Sequence, residues 1–211
     1  MTLLLLIRHG VTDATGTRLV GWTPGVHLSE SGREQAEAVR DRLAGTRIDA
    51  IYSSPLERCR ETAQPLATER GLPIRTRKDI GEIAYGTWTN RPLKQVAKTK
   101  LWPRVQMVPS RVRFPDGEAL SEARSRAIAE LDRIVVAHPR KVVAAFSHAD
   151  VIKLVVAEFA GMHLDLFQRI VVDPASVCAL EVGDGVPRVL RVNDTGSLAA
   201  LAPRGRRRQR G

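Results

Sequence analysis

Three short apolar segments, each followed by polar or charged side chains, dominate the pattern of the chain. Leu3–Ile7 contains five apolar residues in succession, which is typical of a strand buried on both faces of a parallel sheet. The segments 49–53 and 140–146 are also rich in strand-forming residues. The residues that follow these three segments are Arg8 with His9, Ser54, and Ser147 with His148.

Helical patterns alternate with these strands. Ser31 and Glu34 have the spacing of a capping box, and they predict a helix that runs to about Leu43. Ser54 is predicted to cap a second helix, which Gly71 closes. Later in the chain, the pattern predicts a short strand at 74–76, one short amphipathic helix within 92–115, helices at 118–136 and 149–160, and strands at 176–182 and 188–192.

This alternation of strands and helices predicts an α/β protein, a three-layer α/β/α sandwich with a mostly parallel central sheet. Ligands of open α/β sheets bind at the carboxyl ends of the strands, where the polar residues stand here. We expect one domain over residues 1–202, with a small lid or insertion at about 89–117. The segment 203–211 is expected to be a disordered basic tail.

The positive charge of the chain is concentrated at one end. The formal net charge is +10, and five arginines but no acidic residue lie within 203–211, so the rest of the chain carries +5. A mildly basic body suits a small anionic substrate such as a phosphorylated metabolite. Nucleic acid is not an expected partner, except through nonspecific, salt-sensitive binding by the tail.

Two cysteines and the amino-terminal segment bear on the compartment. Cys59 and Cys178 lie far apart and lack metal-ligand spacing, so reduced thiols and a cytoplasmic protein are expected. No segment reaches membrane-spanning length, and the first apolar segment lacks the basic region of a signal peptide. We therefore expect no membrane partner, no metal and no cofactor.

The candidate chemistry is phosphoryl transfer through histidine. A neutral imidazole at His9 can attack phosphorus and form a phosphoenzyme. Arg8, Arg58 and His148 would supply the positive partners that the phosphoryl oxygens need. Glu82, on a loop, is placed to protonate the leaving alkoxide. The simpler alternatives are a solvated Arg58 on its helix and a solvated Glu82 on its loop.

Six sequence blocks, in order, resemble those of one family. Leu6–Thr12 resembles the Arg-His-Gly signature of the histidine phosphatase superfamily, in its phosphoglycerate mutase-like branch. The resemblance extends over about residues 3–193 and includes relatives labelled as phosphomutases or phosphatases. The further blocks are Arg18 with Gly21-Trp22 and residues 28–32, Ser53–Arg58, Glu82–Trp88, Phe114–Glu118 and Ser147–Asp150.

The resemblance implies a role for each candidate residue. His9 would be the phosphorylated nucleophile, and Glu82 would act first as the acid and then as the base for water. Arg8, Arg58 and His148 would bind the phosphoryl group. Thr15 stands where many relatives have asparagine, and its hydroxyl would donate to a phosphate oxygen.

Three functions remain open at this point. A phosphatase would hydrolyse the phosphohistidine, whereas a mutase would return the phosphoryl group to a bound phosphoglycerate. The short segment between Trp88 and the long helix lacks the mutases' recognisable Glu- and Lys-containing pattern, which favours a phosphatase. A binding protein that acts through its basic tail is the third alternative. Relatives commonly form dimers, so a homodimer is compatible with the resemblance.

Overall fold

The fold is a central sheet covered by helices on both faces, in agreement with the predicted three-layer sandwich. The computed structural model describes residues 1–196. Its strands are β1 (Thr2–Arg8), β2 (Arg18–Leu19), β3 (Ala50–Ser53), β4 (Ile74–Thr76), β5 (Arg91–Pro92), β6 (Val142–Ser147), β7 (Val177–Val182) and β8 (Arg188–Asp194). Its α-helices are α1 (Glu30–Arg42), α2 (Glu57–Arg70), α3 (Leu93–Val96), α4 (Trp102–Met107), α5 (Leu120–Ala137) and α6 (Ala149–Phe159).

Six strands form the main sheet in the order β4-β3-β6-β1-β7-β8. The first four are parallel, and β7 and β8 run antiparallel to their neighbours. β2 and β5 form a separate two-stranded sheet, which the sequence did not predict. No helix within residues 1–196 is both long enough and apolar enough to cross a membrane.

The central strand β1 is buried on both faces, as its apolar sequence predicted. Leu4 and Leu6 pack into the core beneath α5 and α6, whereas Leu5 and Ile7 pack into the core beneath α1 and α2. All four side chains are at most 2% exposed. Burial of this kind contributes about 1.5–3 kcal/mol for each large aliphatic side chain. The two cores therefore fix the position of β1 and of the residues that follow it.

The strand register brings the polar residues after the strands together. β1 pairs with β6 so that Arg8 lies opposite Ser147, and β6 also pairs with β3. His9 and His148 therefore follow neighbouring parallel strands, and Ser54 follows the strand on the other side of β6. The backbone N–H of His9 donates to the carbonyl of Ser147, which ties these strand ends together.

Two predicted helix starts are wrong. The N-cap of α1 is Ser29, whose hydroxyl accepts from the N–H of Gly32, and not Ser31. α2 begins at Glu57 with Leu56 as its N-cap and no side-chain cap. Ser54 lies before this cap, and its hydroxyl contacts His148 instead. The first error arose because Ser29 and Ser31 are both candidate caps, whereas α2 starts after a leucine that provides no side-chain cap.

The segment between residues 89 and 120 is more divided than predicted. It contains the two short helices α3 and α4 and a 3₁₀ turn at Pro109–Arg111, rather than one amphipathic helix. α5 begins at Leu120 instead of residue 118, and Glu118 pairs with the loop that carries Glu82: its N–H donates to the carbonyl of Ala84, and its carboxylate accepts from the N–H of Ala84. The lid at about 89–117 remains a prediction. The predicted disorder of 203–211 concerns residues outside the described part of the chain.

Candidate active site

His9 has an unprotonated nitrogen available for attack. Its Nδ1 lies 2.7 Å from the carbonyl oxygen of Gly10, which can only accept, so Nδ1 carries the proton and Nε2 has the free lone pair. Burial, together with the charges of Arg58 and Arg8, lowers the pKa of His9 to about 3. The ring is therefore neutral at ordinary pH, as a nucleophilic imidazole must be.

His148 lies beside His9 at the start of α6. The centroids of the two rings are 5.3 Å apart, and the rings are inclined by 64°. Nη2 of Arg58 lies 3.2 Å from Nδ1 of His148, and Oγ of Ser54 lies 2.9 Å from Nε2. The ring is fully buried, and burial lowers its pKa well below the ordinary value. His148 is thus held at both nitrogens.

Two arginines face this pair with unused donors. Arg58 is 0% exposed, and its Nη2 donates to the carbonyl of Gly21 over 3.0 Å, but Nε and Nη1 have no partner among the described residues. Nη1 of Arg8 donates to the carbonyl of Val172, while Nε has no partner in that same range. Buried N–H groups are rarely left unbonded, because desolvation without a partner is costly. An oxyanion would satisfy them.

The carboxyl group of Glu82 lies close to His148, where an acid was expected. Its Oε2 lies 3.5 Å from Nδ1 of His148 and 4.0 Å from Nη2 of Arg58. Burial is the largest influence on this carboxyl group and raises its pKa to about 7, against the opposing charge of Arg58. The group can therefore give and take a proton near neutral pH.

The loop that presents Glu82 is fixed by side chains from elsewhere. Nε1 of Trp22 donates to the carbonyl of Glu82, and Nη2 of Arg126 donates to the same oxygen over 2.9 Å. Arg126 also donates to the carbonyl of Gly81 and forms two hydrogen bonds with the Glu118 carboxylate. The position of the acid is thus set by several donors to its own backbone.

Thr15 lies in the same cavity as His9, but its hydroxyl is engaged locally. It accepts from the N–H of Thr12 over 2.9 Å and lies 3.1 Å from the Thr12 hydroxyl. Because a hydroxyl both accepts and donates, either threonine could supply one O–H to a ligand. The phosphate contact predicted for Thr15 remains a prediction.

The site opens into a cavity of about 420 Å³. The cavity is lined by Arg8, His9 and Glu82, and its walls extend along α6 and the loop after β1. A larger groove of about 820 Å³, which involves α1 and α2, contains none of the candidate site residues. Within residues 1–196 no group of three or more His, Cys, Asp or Glu side chains is arranged to hold a metal ion.

The structure also identifies residues that the sequence analysis did not assign to the site. Ser54 was predicted to be a helix cap and one of the polar residues at the strand ends, Trp22 was named only within a family block, and Arg126 was not considered. The position of Ser54 at this edge followed from the predicted parallel sheet, but its contact with His148 did not. Arg126 gave no such signal, because its partners are backbone carbonyls of a distant loop.

Comparisons with known proteins agree with this arrangement. The family model for the histidine phosphatase superfamily (branch 1) matches residues 4–195. Phosphoserine phosphatase 1 of Hydrogenobacter thermophilus is 26% identical over 92% of this chain and 93% of its own length. A Yersinia pestis protein named probable phosphoglycerate mutase GpmB is 33% identical over 63% of this chain and 62% of its own. The solved structure of Bacillus stearothermophilus YhfR superposes with a TM-score of 0.87 at 28% identity, covering 93% of this chain and 98% of that one.

Fold and site together define an α/β enzyme in which His9 and His148 lie side by side at the carboxyl edge of the parallel strands. The chain belongs to the histidine phosphatase superfamily, branch 1. The family and the enzyme class predicted from the sequence are thereby confirmed.

Proposed function

We propose that this protein hydrolyses small phosphomonoesters through a phosphohistidine formed at His9. One observation carries the proposal: His9 and His148 lie side by side, and the nearby Arg58 and Arg8 have buried N–H donors with no partner in the described chain. A tetrahedral phosphoryl group would supply acceptors for these donors.

The proposed first step transfers the phosphoryl group to His9. Nε2 attacks phosphorus, the bond from phosphorus to the ester oxygen breaks, and the protonated carboxyl of Glu82 gives its proton to that oxygen. Arg8, Arg58 and His148 bind the three phosphoryl oxygens, on which negative charge is spread in the transition state. The alcohol then leaves.

The second step returns the site to its starting state. The Glu82 carboxylate takes a proton from water as the water oxygen attacks the phosphohistidine. The bond between nitrogen and phosphorus breaks, and the electron pair returns to Nε2 of His9. Inorganic phosphate departs, and Glu82 is protonated again. The cavity of about 420 Å³ supports a small phosphorylated metabolite as the substrate.

A phosphomutase is the second candidate, because of the similarity to the protein named as a probable phosphoglycerate mutase. The two activities share the first step and differ in whether water or a bound alcohol accepts the phosphoryl group. A mutase yields an isomeric ester, whereas a phosphatase yields inorganic phosphate. The cytoplasmic location and the homodimer also remain predictions.

The test is to trap the covalent intermediate and identify the product. Reaction with a phosphoryl-radiolabelled substrate, followed by rapid quenching without acid, should leave an acid-labile, base-stable label on His9. Hydrolysis of p-nitrophenyl phosphate should yield one inorganic phosphate for each nitrophenol. His9→Ala should abolish both signals, and His27→Ala, at an exposed histidine, should keep both. Full turnover by a folded His9→Ala variant would refute the proposal, and isomerisation of phosphoglycerate without phosphate release would favour the mutase.

A further inference from the structure

The cavity above His9 continues along α6 beyond the phosphoryl-binding group. Asp150 and Lys153 of α6 line it, together with Gln168 of the 3₁₀ segment Leu164–Arg169. α6 begins directly after His148, so Lys153 lies about 7.5 Å further along the helix axis. A second functional group on a short phosphate ester could reach that distance.

The ammonium group of Lys153 is held in place by two neighbours and keeps one further N–H donor. Its Nζ lies 3.2 Å from Oδ1 of Asp150 and 3.2 Å from Oε1 of Gln168, and its side chain is 16% exposed. The hydroxyl of Tyr85 donates to Oδ2 of Asp150 and so holds that carboxylate in place. An ammonium group has three N–H donors, and these partners use two of them. The third has no acceptor among residues 1–196.

The part of the cavity near Lys153 carries a further acid and a further cation. Asp173, which also lines it, accepts from the side chain of Asn193. Arg18 lines the cavity as well and uses one guanidinium nitrogen on the carbonyl of Asn90. The cations Lys153 and Arg18 thus share these walls with the acids Asp150 and Asp173.

We propose that Lys153 makes this protein selective for phosphomonoesters that also carry a carboxylate. This inference rests on the proposed phosphatase function. A single spare N–H on an ammonium already paired with Asp150 suits a group of one negative charge. A second phosphate, which carries more negative charge than a carboxylate, would be repelled more strongly by the nearby Asp150 carboxylate.

Two matched pairs of substrates isolate the carboxylate. O-phosphoserine and phosphoethanolamine differ only by the carboxylate, while 3-phosphoglycerate and glycerol 3-phosphate differ by a carboxylate in place of a hydroxymethyl group. A charge-assisted hydrogen bond predicts kcat/KM about tenfold or more higher for the acid-bearing member of each pair. p-Nitrophenyl phosphate serves as a carboxylate-free reference for hydrolysis itself.

Variants then assign the preference to Lys153. Lys153→Met should reduce the ratio of kcat/KM within each pair to near one. Gln168→Glu should reduce it as well, because a carboxylate placed on Nζ competes with that of the substrate. Lys98→Met, at an exposed lysine outside the cavity, should leave the ratio unchanged. Thermal melts establish which variants are folded, and Gln168→Glu decides the matter if Lys153→Met does not fold.

The outcomes separate this inference from the proposed function. Hydrolysis of p-nitrophenyl phosphate with equal kcat/KM within both pairs would overturn the carboxylate preference and leave the phosphatase intact. A preference that survives in folded Lys153→Met or Gln168→Glu would overturn the role of Lys153. Failure to hydrolyse any of the five esters would refute the phosphatase and this inference together.

Discussion

The hydroxyl oxygen of Ser54 lies 2.9 Å from Nε2 of His148. A guanidinium group can only donate hydrogen bonds, so Nδ1 of His148 must accept from Nη2 of Arg58. Nε2 of His148 then carries the proton and donates it to the Ser54 hydroxyl. If Nδ1 instead donates to a phosphoryl oxygen, the serine hydroxyl can rotate and donate to Nε2. Ser54 is therefore a positioning residue that can stabilise either tautomer of His148.

Ser54→Ala should lower kcat/KM by about tenfold, because it removes one hydrogen bond to a buried imidazole. Ser54→Thr, which keeps the hydroxyl, should recover most of this loss. Steady-state kinetics with p-nitrophenyl phosphate, compared with Ser125→Ala on the exposed face of α5, would measure both effects. Equal defects in the alanine and threonine variants would mean that the role of Ser54 is packing alone.

Glu82→Gln should slow phosphorylation by alkyl phosphates about 10²–10⁴-fold, because an amide cannot give a proton to the alcohol. The effect on p-nitrophenyl phosphate should be smaller, since nitrophenolate leaves unprotonated. In the wild type, alcohol release in the first turnover should decline above about pH 7, where Glu82 loses its proton, and the variant should lack this decline. Glu34→Gln, at an exposed position, is the control. Equal losses on alkyl and aryl esters would contradict the acid role.

The raised pKa of Glu82 also predicts a pH-dependent stability. The folded-state pKa is about 7 against an ordinary value of 4.5, so the unfolded state releases its proton more readily between these values. The contribution of Glu82 to stability is thus full below about pH 4.5 and is lost as the pH rises through 7, by no more than about 3 kcal/mol.

Glu82→Gln does not titrate, so its stability relative to the wild type should increase between pH 5 and pH 8. Urea unfolding at the two pH values would measure this difference. Glu34→Gln should show no such trend. A constant difference between Glu82→Gln and the wild type would show that the carboxyl group is not shifted in the folded protein.

Arg126→Met should impair catalysis by displacing the loop of Glu82, not by removing a contact with the substrate. Arg126 donates to the carbonyls of Asp79, Gly81 and Glu82, and without it the loop would lose much of what holds the acid in place. Misplacement of a catalytic group by about 1 Å can lower the reaction rate about 100-fold, so kcat for alkyl phosphates should fall about 10- to 100-fold. Aryl phosphates should be less affected, and Arg124→Met on the same helix should be nearly silent. A uniform change in KM alone would argue against this role.

Gly10→Ala should destabilise the fold at the point where the His9 loop meets α1. A Cβ at this position would lie 2.6 Å from the carbonyl oxygen of Gly32, so one backbone must move, at a cost of about 1–3 kcal/mol. Gly45→Ala is the matched control, because nothing lies within 4 Å of its Cβ. Urea unfolding compares the two, and equal stabilities would show that the contact is easily relaxed.

The sequence predicted those parts of the structure that depend on buried strands. The apolar residues of β1 and β6 must be buried, and parallel pairing then brings His9 and His148 to one edge of the sheet. Local signals were sufficient here because each strand is specified by its own composition. The same reasoning applies to Arg58, early in the helix after β3, whose Nη2 lies 3.2 Å from Nδ1 of His148.

Other features depend on contacts that no local pattern encodes. The choice of Ser29 over Ser31 as a cap follows from the backbone path after residue 28, and β2 pairs with β5 across more than seventy residues. Arg126 acts on carbonyl groups, which every residue possesses. Within 92–115 the charged residues are too evenly spread to indicate where one helix ends and the next begins.

The pairing of β1 with β6 has a consequence for biosynthesis. About two thirds of the chain separates His9 from His148, so the amino-terminal strand must wait for most of the polypeptide to be translated before its neighbour exists. A ribosome-bound fragment that ends before β6 contains His9 but not His148. Under the proposed mechanism, turnover therefore reports that translation has passed β6 and that the central strands have docked, which makes an enzymatic assay a probe of folding.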